Sequence, residues 1–353
     1  MLTLKEALER IRPLDEEAME YTRHRWNTLG KPLHSLGRLE TMVTQFAGIY
    51  RDKNPRIGKK AVIVMAADNG VVAEGVTQTG QEVTKIVTEN MTKHNATICI
   101  MSGVSGADVY PVDIGIVTDS DNPKVIRRKV RYGTANMLHG PAMTREEAVK
   151  AIETGIDMVR ELKEKGYNLF ATGEMGIGNT TTSSAICSVL LDQPVEKMTG
   201  KGAGLTSQGL DHKIEVIKES IRINQVDPED PLDVLAKVGG LDIAGMAGCC
   251  IGAAVYQVPV FMDGFISTVA GLVATRIAPE CAPYIFPSHC SNEPASRLVL
   301  EGMGKEPYIM AGMCLGEGTG AVIGFTIADY AFKAYWELPS FEDTKFGTYE
   351  ELD

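Results

Sequence analysis

The sequence predicts an α/β protein: a parallel, Rossmann-like sheet with helices on both faces, and a small helical subdomain made from the two chain ends. Three observations carry that prediction. Continuous apolar runs, each ending at or near an acidic residue, recur through the middle of the chain, as expected of parallel strands covered on both faces. Segments of helical periodicity lie between them. Finally, 36 glycines beside only 6% aromatic residues suit a fold with many tight strand-to-helix turns.

Residues 1–50 read as helices, with apolar residues at three- and four-residue spacing in LKEALERI (4–11) and RLETMVTQFAGIYR (38–51). The turn-rich KPLHSLGR (31–38) connects them. The opening MLTLKEALERIRPLDEEAM is amphipathic and charged, unlike a signal peptide. Strands are expected at 61–68, 108–116, 168–173 and 259–264, with a weaker candidate at YIMAGM (308–313). Helices are expected at 82–94, 145–165, 181–191 and 210–224. The uncharged stretch 243–262 is long enough to span a membrane. It is rich in Gly and Ala, contains Gln257 and Pro259, and meets Asp263, so it reads as a buried helix followed by a buried strand. A final helix, AVIGFTIADYAFKAYWEL (321–338), stops at Pro339, and the tail is acidic. The expected division is 1–50 with 330–353 as the helical subdomain and 51–330 as the catalytic domain.

Composition narrows the function. The chain has 353 residues, 44% hydrophobic and 23% charged, with net charge −11 and scattered Lys and Arg. That argues against nucleic acid, which requires a basic footprint. Seven cysteines without CxxC spacing suit reduced thiols in a cytoplasmic protein, and six dispersed histidines give no support for a metal site. No cofactor is expected.

The expected ligand crevice lies outside the carboxyl ends of the strands, where Asp68, Asp113, Glu174 and Asp263 fall. The run GEMGIGNTT (173–181) matches the phosphate-loop pattern GxxxxGK[ST] at Gly173, Gly178 and Thr180, but Asn179 stands in the lysine position. Glycines and a helix start can cradle an anion, so a phosphate gripped but not transferred fits better than nucleotide hydrolysis. Two further glycine loops, TGKGAGL (199–205) and LGEGTGA (315–321), also lead into helices. With two glycine-flanked glutamates, Glu174 and Glu317, they suggest a phosphorylated small substrate and acid–base chemistry. No GxGxxG follows the first strand, which argues against a dinucleotide-binding oxidoreductase.

GEMGIGNTT and LGEGTGA, together with VGGLDIAGMAG (238–248), MDGFI (262–266), YGTANMLHGPAMT (132–144), SHCSNEP (288–294), KPLHSLGRLE (31–40) and AADNGVVAEGVT (66–77), resemble the signature blocks of the nicotinate-nucleotide–dimethylbenzimidazole phosphoribosyltransferase family, in order, from about 30 to 330. The resemblance implies transfer of 5-phosphoribose from nicotinate mononucleotide to an aromatic lower-ligand base of a cobamide, with β-to-α inversion and no metal. It implies that Glu317 is the general base and that Glu174 supports it. Gly176, Ile177, Gly178, Asn179, Thr180, Gly202, Gly204, Lys213, Ser291, Gly318 and Gly320 would enclose the nucleotide, and Thr77, Thr79, Gln81 and Leu315 the acceptor. For Lys213 a solvated helix lysine is an equal alternative. Asp263 is expected to cap the next helix, with contact to a ribose hydroxyl as the alternative, and His289 to be an ordinary core residue.

The chain departs from the family pattern at Asn69, Lys201, Ala203, Asp242, Ser296 and Cys314, and in the stretch 75–84. These departures leave the acceptor open between a nitrogen base and a phenol or p-cresol, which one branch of the family activates with two homologous subunits. A homodimer or such a heterodimer is expected, with a non-catalytic homologue as the rival reading.

Overall fold

The computed structural model describes residues 1–202, 204–344, 347 and 349. Its centre is a six-stranded parallel sheet of β1 (Lys59–Ala67), β2 (Ala107–Gly115), β3 (Ile126–Arg127), β4 (Tyr167–Met175), β5 (Val260–Met262) and β6 (Ile285–Pro287). The spatial order is β3-β2-β1-β4-β5-β6. The order reverses between β1 and β4, which opens a crevice at their carboxyl ends.

The four expected strands are present, three of them nine residues long and the fourth, β5, reduced to Val260–Met262. The YIMAGM segment is not a strand. It makes a single bridge, Ile309 with His289, and the sixth strand is the tripeptide at 285–287 instead. Three residues ending in Pro287 carry too little pattern to be read from sequence, and the two-residue β3 carries less.

Helices cover both faces. Along β1, Met65 touches the helix Leu241–Val255 at Gly245, whereas Val62 lies against Gly318. Residues three apart on a strand point to opposite sides. All fifteen residues of Leu241–Val255 are buried, which accounts for the uncharged stretch. It packs so closely on the helix Arg145–Glu164 that a Cβ on Gly248 would run into the Ile152 carbonyl. Small residues are there for contact between backbones. Among the described residues, no helix is long and apolar enough to cross a membrane.

Local signals set several helix starts. Thr144 and Glu147 form a reciprocal capping box, and Thr206 accepts from Gly209 N. At the amino end, the helices Glu16–Thr28 and Arg38–Tyr50 pack against the long helix Thr319–Glu337. Trp26 meets Tyr335 at 4.9 Å and Phe46 meets Phe332 at 5.3 Å between ring centroids. A buried ion pair, Lys31 to Glu40 at 2.7 Å, fixes the connector between those two helices. Position 330 lies inside the continuous helix Thr319–Glu337.

Candidate active site

A cavity of about 270 Å³ opens at the carboxyl ends of β4, β5 and β6, bordered by the segment 76–79 that follows β1. Its wall includes Glu174, Gly176, Ile177, Gly178, Asn179, Thr180, Gly202, Ser291, Glu317, Thr77, Thr79 and Leu315. The strand ends and three glycine loops therefore converge as the sequence suggested.

Glu317 occupies an unusual backbone. Gly316, Glu317 and Gly318 have φ of +92°, +63° and +96°, three left-handed residues in a row. A non-glycine residue in that region carries strain that the surroundings must hold. The strain turns the carboxylate toward the start of the helix Thr97–Ser105, where Oε2 accepts from Ile98 N at 3.1 Å. Partial burial raises the Glu317 pKa, and the amides of Ile98 and Thr97 restrain that rise.

Glu174, on β4, is buried. Desolvation first, then the charges of Asp242, Asp263 and Glu317, push its pKa up to about 8 against an opposing hydrogen bond from Asn179. Gly316 leaves space for it, since a Cβ there would strike Glu174 Oε1. Asn179 Nδ2 donates to Glu174 Oε2 and to Asp242 Oδ2, the latter at 2.9 Å.

Asn179 therefore faces the acids, and the missing lysine comes from elsewhere. Lys213, on the helix Ser207–Ile223, is 1% exposed and donates to Thr180 Oγ1 at 2.9 Å and to the Gly200 carbonyl at 3.2 Å. The solvated alternative is thus corrected: apolar neighbours on this helix face bury the lysine. Burial lowers its pKa to about 8, offset in part by Glu293. Glu293 lines the cavity and was missed by sequence reasoning; only its place two residues after Ser291 could have suggested it.

The helix start behind Glu317 does not offer the donors its sequence promised. Asp263 accepts from Gly318 N at 2.9 Å, Gly320 N at 2.6 Å and Ala321 N at 3.2 Å. Asp263 is a cap, as expected, but of the distant helix Thr319–Glu337 rather than the next one. Gly318 and Gly320 do not line the cavity, and neither do Gly204, Lys213 or Gln81. Gln81 donates to the Asn69 carbonyl at 3.0 Å, and Gly204 accepts from Gln78, which does line the cavity.

His289 is buried in the wall, its Nε2 3.5 Å from Asp263, and among the described residues its Nδ1 has no partner. Asp68 and Asp113 turn away from the cavity to hold the 116–133 crossover. Asp68 accepts from Val117 N at 2.8 Å, and Asp113 pairs with Lys129 at 3.3 Å. Of the departures, Ser296 Oγ accepts from Ser291 N at 2.9 Å, Cys314 and Lys201 line the cavity, and Ala203 lies outside the described residues.

Comparison with known proteins agrees with this geometry. The profile of a family described as "Phosphoribosyltransferase" matches residues 11–346. The chain is 51% identical over 352 residues to the nicotinate-nucleotide–dimethylbenzimidazole phosphoribosyltransferase of Ruminiclostridium cellulolyticum, covering all of both chains. It is 48% identical over 347 residues to the protein of that name from Acetivibrio thermocellus, covering 98% and 99%. The crystal structure of CobT from Thermus thermophilus superposes with a TM-score of 0.89 at 36% identity, covering 94% of this chain and 99% of that one. An α/β sheet of this order, a carboxylate-lined crevice at its switch point and similarity along the whole chain lead to one conclusion: this chain is an enzyme of that phosphoribosyltransferase family.

Proposed function

We propose that the chain transfers the 5-phosphoribosyl group of nicotinate mononucleotide to a ring nitrogen of a benzimidazole-type lower-ligand base of a cobamide, with inversion at the anomeric carbon. The observation that carries this reading is Glu317, a carboxylate held in left-handed backbone at the cavity wall with a raised proton affinity.

The chemistry follows from the charges. In the donor the pyridinium nitrogen is positive. As the C–N bond breaks, that nitrogen keeps the electron pair and nicotinate leaves. The acceptor's free ring nitrogen attacks the anomeric carbon from the opposite face, and the proton on its other nitrogen passes to Glu317. The products are an α-riboside 5′-phosphate and nicotinate. Positive charge grows on the sugar in the transition state, and the Glu317 carboxylate favours it. The dianionic phosphate would rest at Gly176–Thr180 and Gly202, beside the buried cation Lys213. Thr77, Thr79 and Leu315 would bound the acceptor.

This reading includes the division of the chain into a catalytic unit, 51–330, and a helical unit closed by 330–353. It also includes a homodimer in the cytoplasm. Ile100 and Val104 are exposed on the helix that meets Glu317, and Met310 and Leu315 are exposed on the adjoining loop, an apolar rim suited to a second copy. Purified protein with nicotinate mononucleotide and a panel of dimethylbenzimidazole, adenine, phenol and p-cresol tests the reaction. The expected product, identified by mass, is the riboside phosphate of the benzimidazole. O-linked products alone would replace the acceptor class, and no product with any acceptor would overturn the proposal.

A further inference from the structure

We infer that Asp242 is a positioning residue for Glu174 and acts as a neutral acid, its proton on Oδ1 turned toward Asn69 Oδ1 and its Oδ2 presented to Asn179. This rests on the proposed phosphoribosyl transfer, in which Glu174 lines the reacting cavity.

Four buried side chains from four elements stand in a row. Asn69 follows β1, Asp242 lies in the first turn of Leu241–Val255, Asn179 opens Asn179–Leu190, and Glu174 is on β4. The amide of Asn179 spends its two hydrogens on Glu174 Oε2 and Asp242 Oδ2. Among the described residues, the remaining oxygens, Asp242 Oδ1 and Asn69 Oδ1, are buried and without a hydrogen-bond partner, although the amides of Ile243 and Asp242 lie near enough to the carboxyl to favour its anion. Both border the same small space: the point where a Cβ on Gly240 would stand is 2.5 Å from the first and 2.6 Å from the second. Two buried acceptors that share one space and have no donor are costly, and a proton on one of them relieves the cost. Of the two residues, only Asp242 can carry one. Turning the Asn69 amide over would not resolve the conflict, because its Nδ2 now donates to the Ile177 carbonyl at 3.3 Å and its Oδ1 would take that place.

The surroundings favour the neutral acid. Among the described residues no cation pairs with Asp242 or Glu174. Asp242 faces Asp68, behind which lie Asp113 and Lys129. Glu174 faces Asp242, Asp263 and Glu317. Burial outweighs the amides that favour the anion and brings Asp242 to about 7. The consequence is a coupled pair joined by one amide, whose titration belongs to both members. A neutral Asp242 holds Glu174 in place without adding a repulsive charge, so Glu174 ionises at lower pH than it would beside an anion.

The test compares wild type with Asp242→Asn, by infrared spectroscopy of protein carrying ¹³C-aspartate and by kcat/KM against pH. Below pH 7 the wild type should show a buried protonated-carboxyl band that the variant lacks. The midpoint governed by Glu174 should stay within about half a pH unit of the wild type in the variant, since a neutral acid is exchanged for a neutral amide. A missing band, or a midpoint about one unit lower in the variant, would overturn the inference, because either result means that Asp242 is an anion while Glu174 titrates. If Asp242→Asn does not fold, Asn69→Ala should shift the same band to higher frequency by removing its acceptor, and an unmoved band would overturn it. A wild type inactive with every acceptor would count against the proposed function instead, and the infrared band would still decide the state of Asp242.

Discussion

The loops 173–181 and 315–321 share a sequence grammar and do opposite work. Each ends a β-segment or crossover in glycines, and each enters its helix through a left-handed glycine, Gly178 at φ +92° and Gly318 at φ +96°. In the second loop Asp263 takes up the backbone N–H groups of Gly318, Gly320 and Ala321, so the helix start is electrically satisfied. What that loop offers the cavity is the carboxylate of Glu317. In the first loop, among the described residues, no carboxylate binds the backbone N–H groups, and Lys213 stands beside Thr180. A helix start is an anion site only if nothing in the protein has already claimed it. One loop is thus the acid–base arm and the other the phosphate seat.

The largest effect should come from breaking the acid–base arm. Glu317→Gln keeps shape and hydrogen bonding but cannot take a proton, and kcat should fall on the order of 10²–10⁴-fold with little change in KM. Steady-state kinetics with both substrates check this. An equal loss in Glu317→Gln and in a phosphate-seat variant of the same kinetic parameter would erase the contrast.

Breaking the seat should read out differently. Lys213→Met removes the buried cation that holds Thr180 and the Gly200 carbonyl behind the phosphate seat, and KM for nicotinate mononucleotide should rise about 10–100-fold, as for loss of a charge-assisted hydrogen bond. With Lys213 near 8, wild-type affinity for the nucleotide should also weaken as pH rises through about 8, because the cation is lost there. Titration calorimetry across pH 6–9 measures it, and the variant should show a flatter dependence.

A third prediction concerns stability. Glu174 holds its proton in the folded state up to about 8, whereas in the unfolded chain it releases it near the ordinary carboxylate value. Below both values the group has no effect; between them stability falls as pH rises. Glu174→Gln should therefore be more stable than wild type at pH 8, with the difference closing toward pH 4, as measured by urea unfolding. The smallest effect should be that of Asp263→Asn. It weakens the cap on Thr319–Glu337, costing about 1–3 kcal/mol of stability, and lowers kcat less than Glu317→Gln does.

The long strands and the glycine loops were legible because their signals are contiguous: an apolar run closed by an acid, or glycines ahead of a helix. What the sequence could not display were relations across distance. β6 is three residues long, and its pairing with β5 is set by packing. The reach of Asp263 to Gly320, the burial of Lys213 against Thr180, and the meeting of Asn69 with Asp242 each join segments far apart in the chain. Asn69 and Asp242 stand 173 positions apart as separate departures from a pattern, yet the fold brings both to the space beside Gly240. Glu293 had no local signal beyond its neighbour Ser291.

The central claim is that Glu317 takes a proton and does not bond to the sugar. The anomeric configuration of the product, read by NMR from nicotinate mononucleotide and dimethylbenzimidazole, tests it most directly. A base acting in a single displacement gives the α-riboside 5′-phosphate. A β-linked product would mean two successive displacements with a carboxylate as nucleophile, and would contradict the role assigned to Glu317.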